Sequence, residues 1–316
     1  MKTVSILIPV YNETDVLKLL YDRLKYLMDN STSYKWEILF VNDGSKDDSL
    51  LIIRNLRNVD QRVNFVDLSR NYGKEIAMLA GFDYVIGDCV VIMDADLQDP
   101  PELIPQMLQY WEEGYDDVYA KRRKRDGESF LKKMTSKLYY RILQKTTKIE
   151  LQVDTGDFRL LDRKCISALK QIRESQRYTK GIFSWIGFKK KELLFDRDIR
   201  AAGKTKWNYW SLIGLAIEGV TSFTISPLRI SSILGLIVSV FSFIYMCYVF
   251  GKALLYGDPV QGYPSLIVII LFLGGVQLLS LGILGEYVGR IFYETKRRPP
   301  YFVREYNGEY QMKKNN

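Results

Sequence analysis

With 316 residues, of which 47% are hydrophobic and 26% charged, the chain has the mix of a folded protein and room for one large domain or two ordinary ones. It contains no histidine, which excludes Ser-His-Asp and Cys-His nucleophile systems and imidazole metal ligands; its three cysteines (Cys89, Cys165, Cys247) form no CxxC, a usage that fits a reduced compartment. The net charge of +8 is uneven: residues 1–120 hold 11 Lys/Arg against 21 Asp/Glu, and residues 121–316 hold 34 against 16.

From the amino end, short apolar runs at 4–10, 36–41, 63–66, 90–93 and 118–120 alternate with helical periods. The clearest period is Val16, Leu19, Leu20, Leu24, Leu27. This alternation predicts an α/β domain with a mostly parallel sheet covered on both faces. The first ten residues carry one Lys and no cleavage pattern, so no secretory signal is expected.

In such sheets ligands bind at the carboxyl ends of the strands. The residues there are polar and distinctive: Pro9-Val10-Tyr11-Asn12-Glu13, then Asn42-Asp43-Gly44-Ser45, then Ser69 to Lys74, then Asp94-Ala95-Asp96-Leu97-Gln98-Asp99. All four clusters are expected to converge on one edge. Neither GxGxxG nor GxxxxGK[ST] occurs, which excludes the dinucleotide fingerprint and the P-loop. Asp94-Ala95-Asp96, leaving a Val-Val-Ile-Met strand, can bring two carboxylates to one hard divalent ion that also holds a phosphate, Mg²⁺ or Mn²⁺. For Asp43 two readings stand, a contact to a base or ribose and a residue of the Asn-Asp-Gly turn.

Beyond residue 120 the chain turns basic. Residues 121–150 hold 11 bases and 3 acids, beginning with the run 121–125, which suits a polyanion or an anionic membrane surface. Residues 207–225 are apolar and aromatic and are read as an interfacial amphipathic helix or as core. Two charge-free runs follow, 22 residues at 230–251 and 27 at 259–285, each long enough to cross a ~30 Å hydrocarbon core as a helix. Arg229 and Arg290, Lys296, Arg297, Arg298 flank the pair outside, against Lys252 alone in the connection, which predicts both termini in the cytoplasm. The expected organisation is a cytosolic domain (1–206), a juxtamembrane segment (207–228), membrane helices at 229–252 and 264–290, and a basic cytosolic tail (291–316).

Taken in order, V-S-I-L-I-P-V-Y-N-E, V-N-D-G-S-K-D-D-S, S-R-N-Y-G-K-E and D-A-D-L-Q-D-P-P-E resemble the inverting glycosyltransferases of the GT-A fold, and more narrowly the polyprenyl-phosphate glycosyltransferases. The resemblance continues through D-T-G-D-F-R-L-L-D-R (154–163), R-Y-T-K-G-I-F-S-W-I-G (177–187) and R-A-A-G-K-T-K-W (200–207), where Thr205 stands for a frequent Ser. It covers essentially the whole chain. The Q-x-x-R-W motif of processive polysaccharide synthases is absent from the sequence, so transfer of one sugar is expected.

The resemblance implies a Rossmann-like GT-A sheet and a set of roles. Pro9, Tyr11, Asn12, Glu13, Asp43 and Lys74 would bind the nucleotide-sugar, and Asp94, Asp96 and Gln98 would surround the metal on its pyrophosphate. Arg200 and Lys206 would reach the same pyrophosphate, and Asp157 would stand near the sugar and the acceptor, as an orienting group or a base. Arg122, Lys132 and Ser136 are candidate contacts to the acceptor phosphate. The implied partners are a nucleotide-sugar, with UDP-glucose expected before UDP-GlcNAc, GDP-mannose or a UDP-modified pentose, polyprenyl phosphate and the lipid bilayer, with no nucleic acid. A homotetramer is known among similar proteins. A phosphate monoester, whose second pKa is ~6, is largely ionised at neutral pH and scarcely needs a base, which suits a chain without histidine.

Overall fold

The computed structural model describes residues 1–123, 155–174, 177–195, 226–256 and 262–310. The chain divides into two compact units, one of Met1–Leu215 with Arg298–Asn316 and the other of Ala216–Arg297.

In the first unit the described strands form one nine-stranded sheet in the order β7-β5-β6-β4-β1-β2-β3-β8-β9. They are β1 (Thr3–Val10), β2 (Lys35–Asn42), β3 (Val63–Leu68), β4 (Cys89–Ile92), β5 (Asp117–Arg122), β6 (Thr155–Asp162), β7 (Lys190–Phe195), β8 (Val303–Tyr306) and β9 (Glu309–Tyr310). The helices are α1 (Thr14–Asn30), α2 (Ser49–Val59), α3 (Lys74–Tyr84), α4 (Ile104–Glu112), α5 (Arg163–Gln171) and α6 (Thr179–Trp185). The central strands β3, β2, β1 and β4 are all parallel. They are apolar on both faces, as a covered parallel sheet requires: Ile6, Leu7, Ile8, Ile38, Leu39, Phe40, Val90, Val91 and Ile92 are fully buried.

The expectation of a mostly parallel sheet needs correction. Strand β6 runs antiparallel to both β4 and β5, and β8 and β9 add two antiparallel pairings at the other edge, so the sheet is mixed. The apolar runs define strands but not their direction, and β6 lies beyond the stretch that shows the regular alternation. The predicted stripe on α1 also shifts. Leu19 is 53% exposed, and the buried face is Val16, Leu17, Leu20, Tyr21, Leu24 and Met28. The segment read as a basic tail contains β8 and β9.

Two close approaches position the helices and loops. Gly81 in α3 faces Leu7 of β1, where a Cβ would lie 2.2 Å from a Leu7 methyl. The bare backbone lets α3 settle on the sheet and sets the height of Lys74 at its first turn. Arg159 of β6 is fully buried, with Nη1 3.0 Å from the equally buried Asp117 of β5 and its guanidinium over the Phe183 ring at 3.9 Å. This pair ties two antiparallel strands together beneath Asp157.

The second unit consists, among the described residues, of α7 (Ser226–Tyr256) and α8 (Tyr263–Thr295). One stretch, Phe272–Thr295, is long and apolar enough to cross a membrane by length and composition, and Ile230–Tyr245 is a shorter apolar stretch. Leu236, Phe241, Leu278 and Leu281 are among the large apolar side chains exposed on these helices. Residues 207–225 lie outside the described residues.

Replacing Gly81 by Ala should destabilise the protein by about 1–3 kcal/mol, the usual cost of overfilling a packed contact. Thermal unfolding of the two proteins in the same detergent measures it.

Candidate active site

The four polar clusters meet as expected at the carboxyl edge of the parallel strands. They enclose a cleft of about 390 Å³ lined by Pro9 and Val10 at the end of β1, Tyr11 and Glu13 after it, Asp43 after β2, Asn71, Gly73 and Lys74 after β3, and Asp94 to Asp96 after β4, with Ala77 completing the wall.

The loops are tied to one another in chain order. Asn12, in the left-handed region at φ 56°, donates its N–H to Ser45 Oγ (3.0 Å) and accepts from the Lys46 N–H through Oδ1 (2.8 Å). Its side chain therefore joins the first two loops, and it is not among the residues lining the cleft. Thr14 Oγ1 donates to Asp47 at 2.6 Å across the same seam. Asp43 joins the second loop to the third: Oδ1 accepts from the Tyr72 N–H (2.7 Å) and Oδ2 from the Gly73 N–H (2.9 Å). Burial pushes the Asp43 carboxyl up, and these two N–H groups oppose the shift. Gly44, at φ 65°, supplies the turn; a Cβ there would lie 2.5 Å from the Arg70 carbonyl carbon, so the loops touch backbone to backbone.

The acidic centre follows from register. In the antiparallel β4–β6 pair Ile92 stands opposite Arg159, so Asp94 and Asp157, two residues further along each strand, come side by side. Lys74, at the start of α3, places its ammonium between them, 2.5 Å from Asp94 Oδ1 and 2.5 Å from Asp157 Oδ2. Burial favours the neutral form of Asp157, but the Lys74 ammonium, aided by Lys180, overrides it and holds the carboxyl at about 2. The same two carboxylates raise Lys74 above its ordinary value against the effect of burial. Asp157 Oδ1 is buried without a hydrogen-bond partner among the described residues, and Asp157 is not among the residues lining the cleft.

The loop after β4 is tightly wound. Leu97 sits at φ 62°, an uncommon conformation for a branched side chain, and Gln98 N–H donates to Asp96 Oδ1 at 3.2 Å. Gln98 is half-buried and does not line the cleft. Asp99, buried beneath the loop, accepts from the Asp94 N–H at 3.0 Å. Burial, with Asp94 and Asp96 close by, pushes its carboxyl up to about 7.

The donor set suits a hard cation that draws part of its shell from a ligand. Asp94 and Asp96 present oxygen from one turn, and among the described residues no three side chains of metal-binding type converge on one point. Arg122 ends β5, half-buried and opposite Phe195, and is not part of the cleft wall. Lys132, Ser136, Arg200 and Lys206 lie outside the described residues. Sequence reasoning gave no role to Asn71, Gly73 or Asp99; the i, i+5 relation of Asp94 and Asp99 in one short turn was the available signal for the last.

A mixed Rossmann-like sheet with a DxD turn and a second acidic residue at the carboxyl edge is the GT-A glycosyltransferase arrangement. The profile described as "Glycosyl transferase family 2" matches residues 5–169, and that described as "GtrB C-terminal hairpin" matches residues 226–291. The chain belongs to glycosyl transferase family 2 and is a glycosyltransferase. It is 48% identical over 299 residues to an uncharacterized glycosyltransferase of Synechocystis, which covers 95% of this chain and 94% of the relative. It is 41% identical over 301 residues to the bactoprenol glucosyl transferase of Shigella phage SfX and to a prophage bactoprenol glucosyl transferase homolog of Escherichia coli K12, each covering 95% of this chain and 98% of the relative.

Asp99 has a consequence for stability. Its folded value of about 7 lies above its usual 3.8, so between those pH values the native state holds a proton that the unfolded chain has released. Its contribution is intact below 3.8 and declines as pH rises through about 7. Asp99→Asn should remove that decline, and unfolding temperatures of variant and wild type compared across this range test it; parallel profiles would contradict the assignment.

Proposed function

We propose that the protein is a membrane-bound hexosyltransferase that moves one sugar, glucose from UDP-glucose, to polyprenyl phosphate on the cytoplasmic face, inverting the anomeric centre. The observation that carries this reading is the cleft in which Asp43, Lys74, Asp94 and Asp96 converge, in a family 2 chain that matches relatives named bactoprenol glucosyl transferase almost end to end.

In this reading the nucleotide lies between the first three loops, against Pro9, Tyr11, Glu13 and Asp43. The diphosphate faces Asp94 and Asp96, which, with Gln98 beside them, would hold Mg²⁺ or Mn²⁺. The ion would supply positive charge to the departing diphosphate. Arg200 and Lys206 are assigned the same partner. The acceptor phosphate oxygen attacks the anomeric carbon from the face opposite the leaving group, the bond to the nucleoside diphosphate breaks, and the configuration inverts. The nucleophile arrives ionised, so no protein group has to remove a proton. Asp157 is itself a carboxylate at neutral pH, held at about 2 and so a weak base, which makes orientation its assigned task. Arg122, Lys132 and Ser136 are assigned to the acceptor phosphate.

The membrane reading draws on α7 and α8, whose apolar side chains lie exposed, and on the hairpin profile. Strand β8, which follows both helices, pairs with β3 of the domain that precedes them. The chain on either side of the hairpin thus belongs to one folded unit, which supports an even number of crossings with both flanks on one side, the side that the flanking Lys/Arg assign to the cytoplasm.

Purified protein supplied with undecaprenyl phosphate, Mg²⁺ or Mn²⁺ and separately labelled UDP-glucose, UDP-GlcNAc, GDP-mannose or UDP-pentose should label an acid-labile lipid from UDP-glucose. Labelling from another donor corrects the sugar, and none from any donor overturns the reading. Asp96→Ala should lower transfer by about 100-fold or more, the scale of losing transition-state charge stabilisation, while the protein stays folded. Undiminished transfer would remove Asp96 from the site.

A further inference from the structure

Beyond the apolar helices the chain returns to the sheet, and one residue there contacts the carboxyl end of β3, from which the third loop leaves. Strand β8 pairs with β3 at Asp67–Glu305 and at Leu68–Val303, with a register shift between them. Arg304 is the residue left over. A bulge of this kind re-aims a side chain, and here the guanidinium turns toward the carboxyl end of β3. Nη2 donates to the Ser69 carbonyl at 2.7 Å, and Nη1 stands 3.5 Å from Asp67 Oδ2.

Both contacts lead into the proposed donor site. Asp67 is fully buried, its Oδ2 has no hydrogen-bond partner among the described residues, and the Arg304 guanidinium is the cation within salt-bridge distance of it there. The other oxygen, Oδ1, accepts from Asn42 Nδ2 at 2.7 Å. Asn42 in turn accepts from the Ser45 N–H (3.4 Å), and Ser45 Oγ accepts from Asn12. Ser69 opens the third loop, whose Tyr72 and Gly73 N–H groups hold Asp43. One guanidinium therefore sits at the root of the second and third loops together. Of the other anchors of this segment, the Phe302 carbonyl accepts from the Ser69 N–H (2.9 Å) at the same strand end, while Glu305 pairs with Arg54 of α2 and Asn307 bonds to the Phe65 N–H (2.8 Å) and to Asn64 (2.9 Å), away from the cleft.

We infer that Arg304 is a positioning residue for the nucleotide half of the cleft, supplied by the segment that follows the membrane hairpin. It touches no reactant. It fixes the spacing between the Asn42–Ser45 and Ser69–Gly73 backbones against which the nucleotide would lie, so its loss should weaken donor binding and leave the chemistry at Asp94 and Asp157 intact. The inference rests on the donor-site reading above.

The test uses the full chain in detergent, with UDP as the binding probe and the donor that labels the lipid as substrate. Arg304→Ala should raise the UDP dissociation constant and the donor KM about tenfold, the scale of a lost hydrogen bond to a charged group, while kcat and the lipid-phosphate KM hold. Arg304→Gln keeps a donor for Ser69 but not the charge facing Asp67; it should show a smaller rise and replaces the alanine variant where that does not fold. Asn307→Ala loosens the same segment elsewhere and should lower the unfolding temperature with the donor KM unchanged. A wild-type donor KM in Arg304→Ala or Arg304→Gln overturns the inference, and so does an equal rise in Asn307→Ala. If the wild type binds neither UDP nor GDP, the donor-site reading fails and this inference with it; if it binds and the Arg304 variants bind equally, this inference fails alone.

Discussion

Gathering carboxylates on one sheet edge is electrostatically unfavourable, and the structure rests on how that repulsion is relieved. Lys74 places one ammonium between Asp94 and Asp157. Asp99, below the turn, relieves it by another route, since its raised value lets it keep a proton near neutrality. Like charges that share a site divide into those that ionise and those that do not. Here the division leaves Asp157 charged and Asp99 poised, while Asp94 stays at the cleft wall, where a cation can approach.

The loops could not hold these groups without one another. The first two carry left-handed residues suited to tight turns, Asn12 and Gly44, and the Gly44 backbone is pressed against that of Arg70 in the third. The bonds that stabilise them run between loops: Asn12 to Ser45, Asp43 to Tyr72 and Gly73. Asp43 is thereby both wall and brace. The sequence left open ligand contact and turn residue for it; its oxygens are engaged by the third-loop backbone, and the residue borders the cleft.

The parallel centre of the sheet and the edge that carries the cleft were legible in the sequence, because a strand buried on both faces is an unbroken apolar run and the residue after it is where the chain turns polar. Strand direction was not legible. Nothing in Thr155–Asp162 distinguishes a parallel neighbour of β4 from an antiparallel one, so the mixed character of the sheet emerged only from pairing. The contact of Lys74 with both Asp94 and Asp157 depends on that pairing and was hidden with it. Strand β8 was hidden for a different reason: Val-Arg-Glu-Tyr is short and charged, within a basic stretch that reads as solvated tail, and its burial depends on Arg54 and Asp67, more than two hundred residues away in sequence. The candidates Lys132, Ser136, Arg200 and Lys206 fall outside the described residues; Arg200 is assigned by resemblance, Lys132 and Ser136 by the basic character of 121–150, and Lys206 by its charge beside Arg200.

The order in which the sheet is completed bears on how the protein is made. A chain emerging from the ribosome delivers β3 some 235 residues before the partner that covers its outer edge, since Ser69 and Arg304 are that far apart. Both apolar helices are synthesised in the interval. Throughout that time β3 presents open backbone donors and acceptors, the kind of surface that recruits stray strands. Synthesis of α7 and α8 therefore precedes closure of the sheet, and a nascent chain stalled between the two events would leave the β3 edge open to other strands.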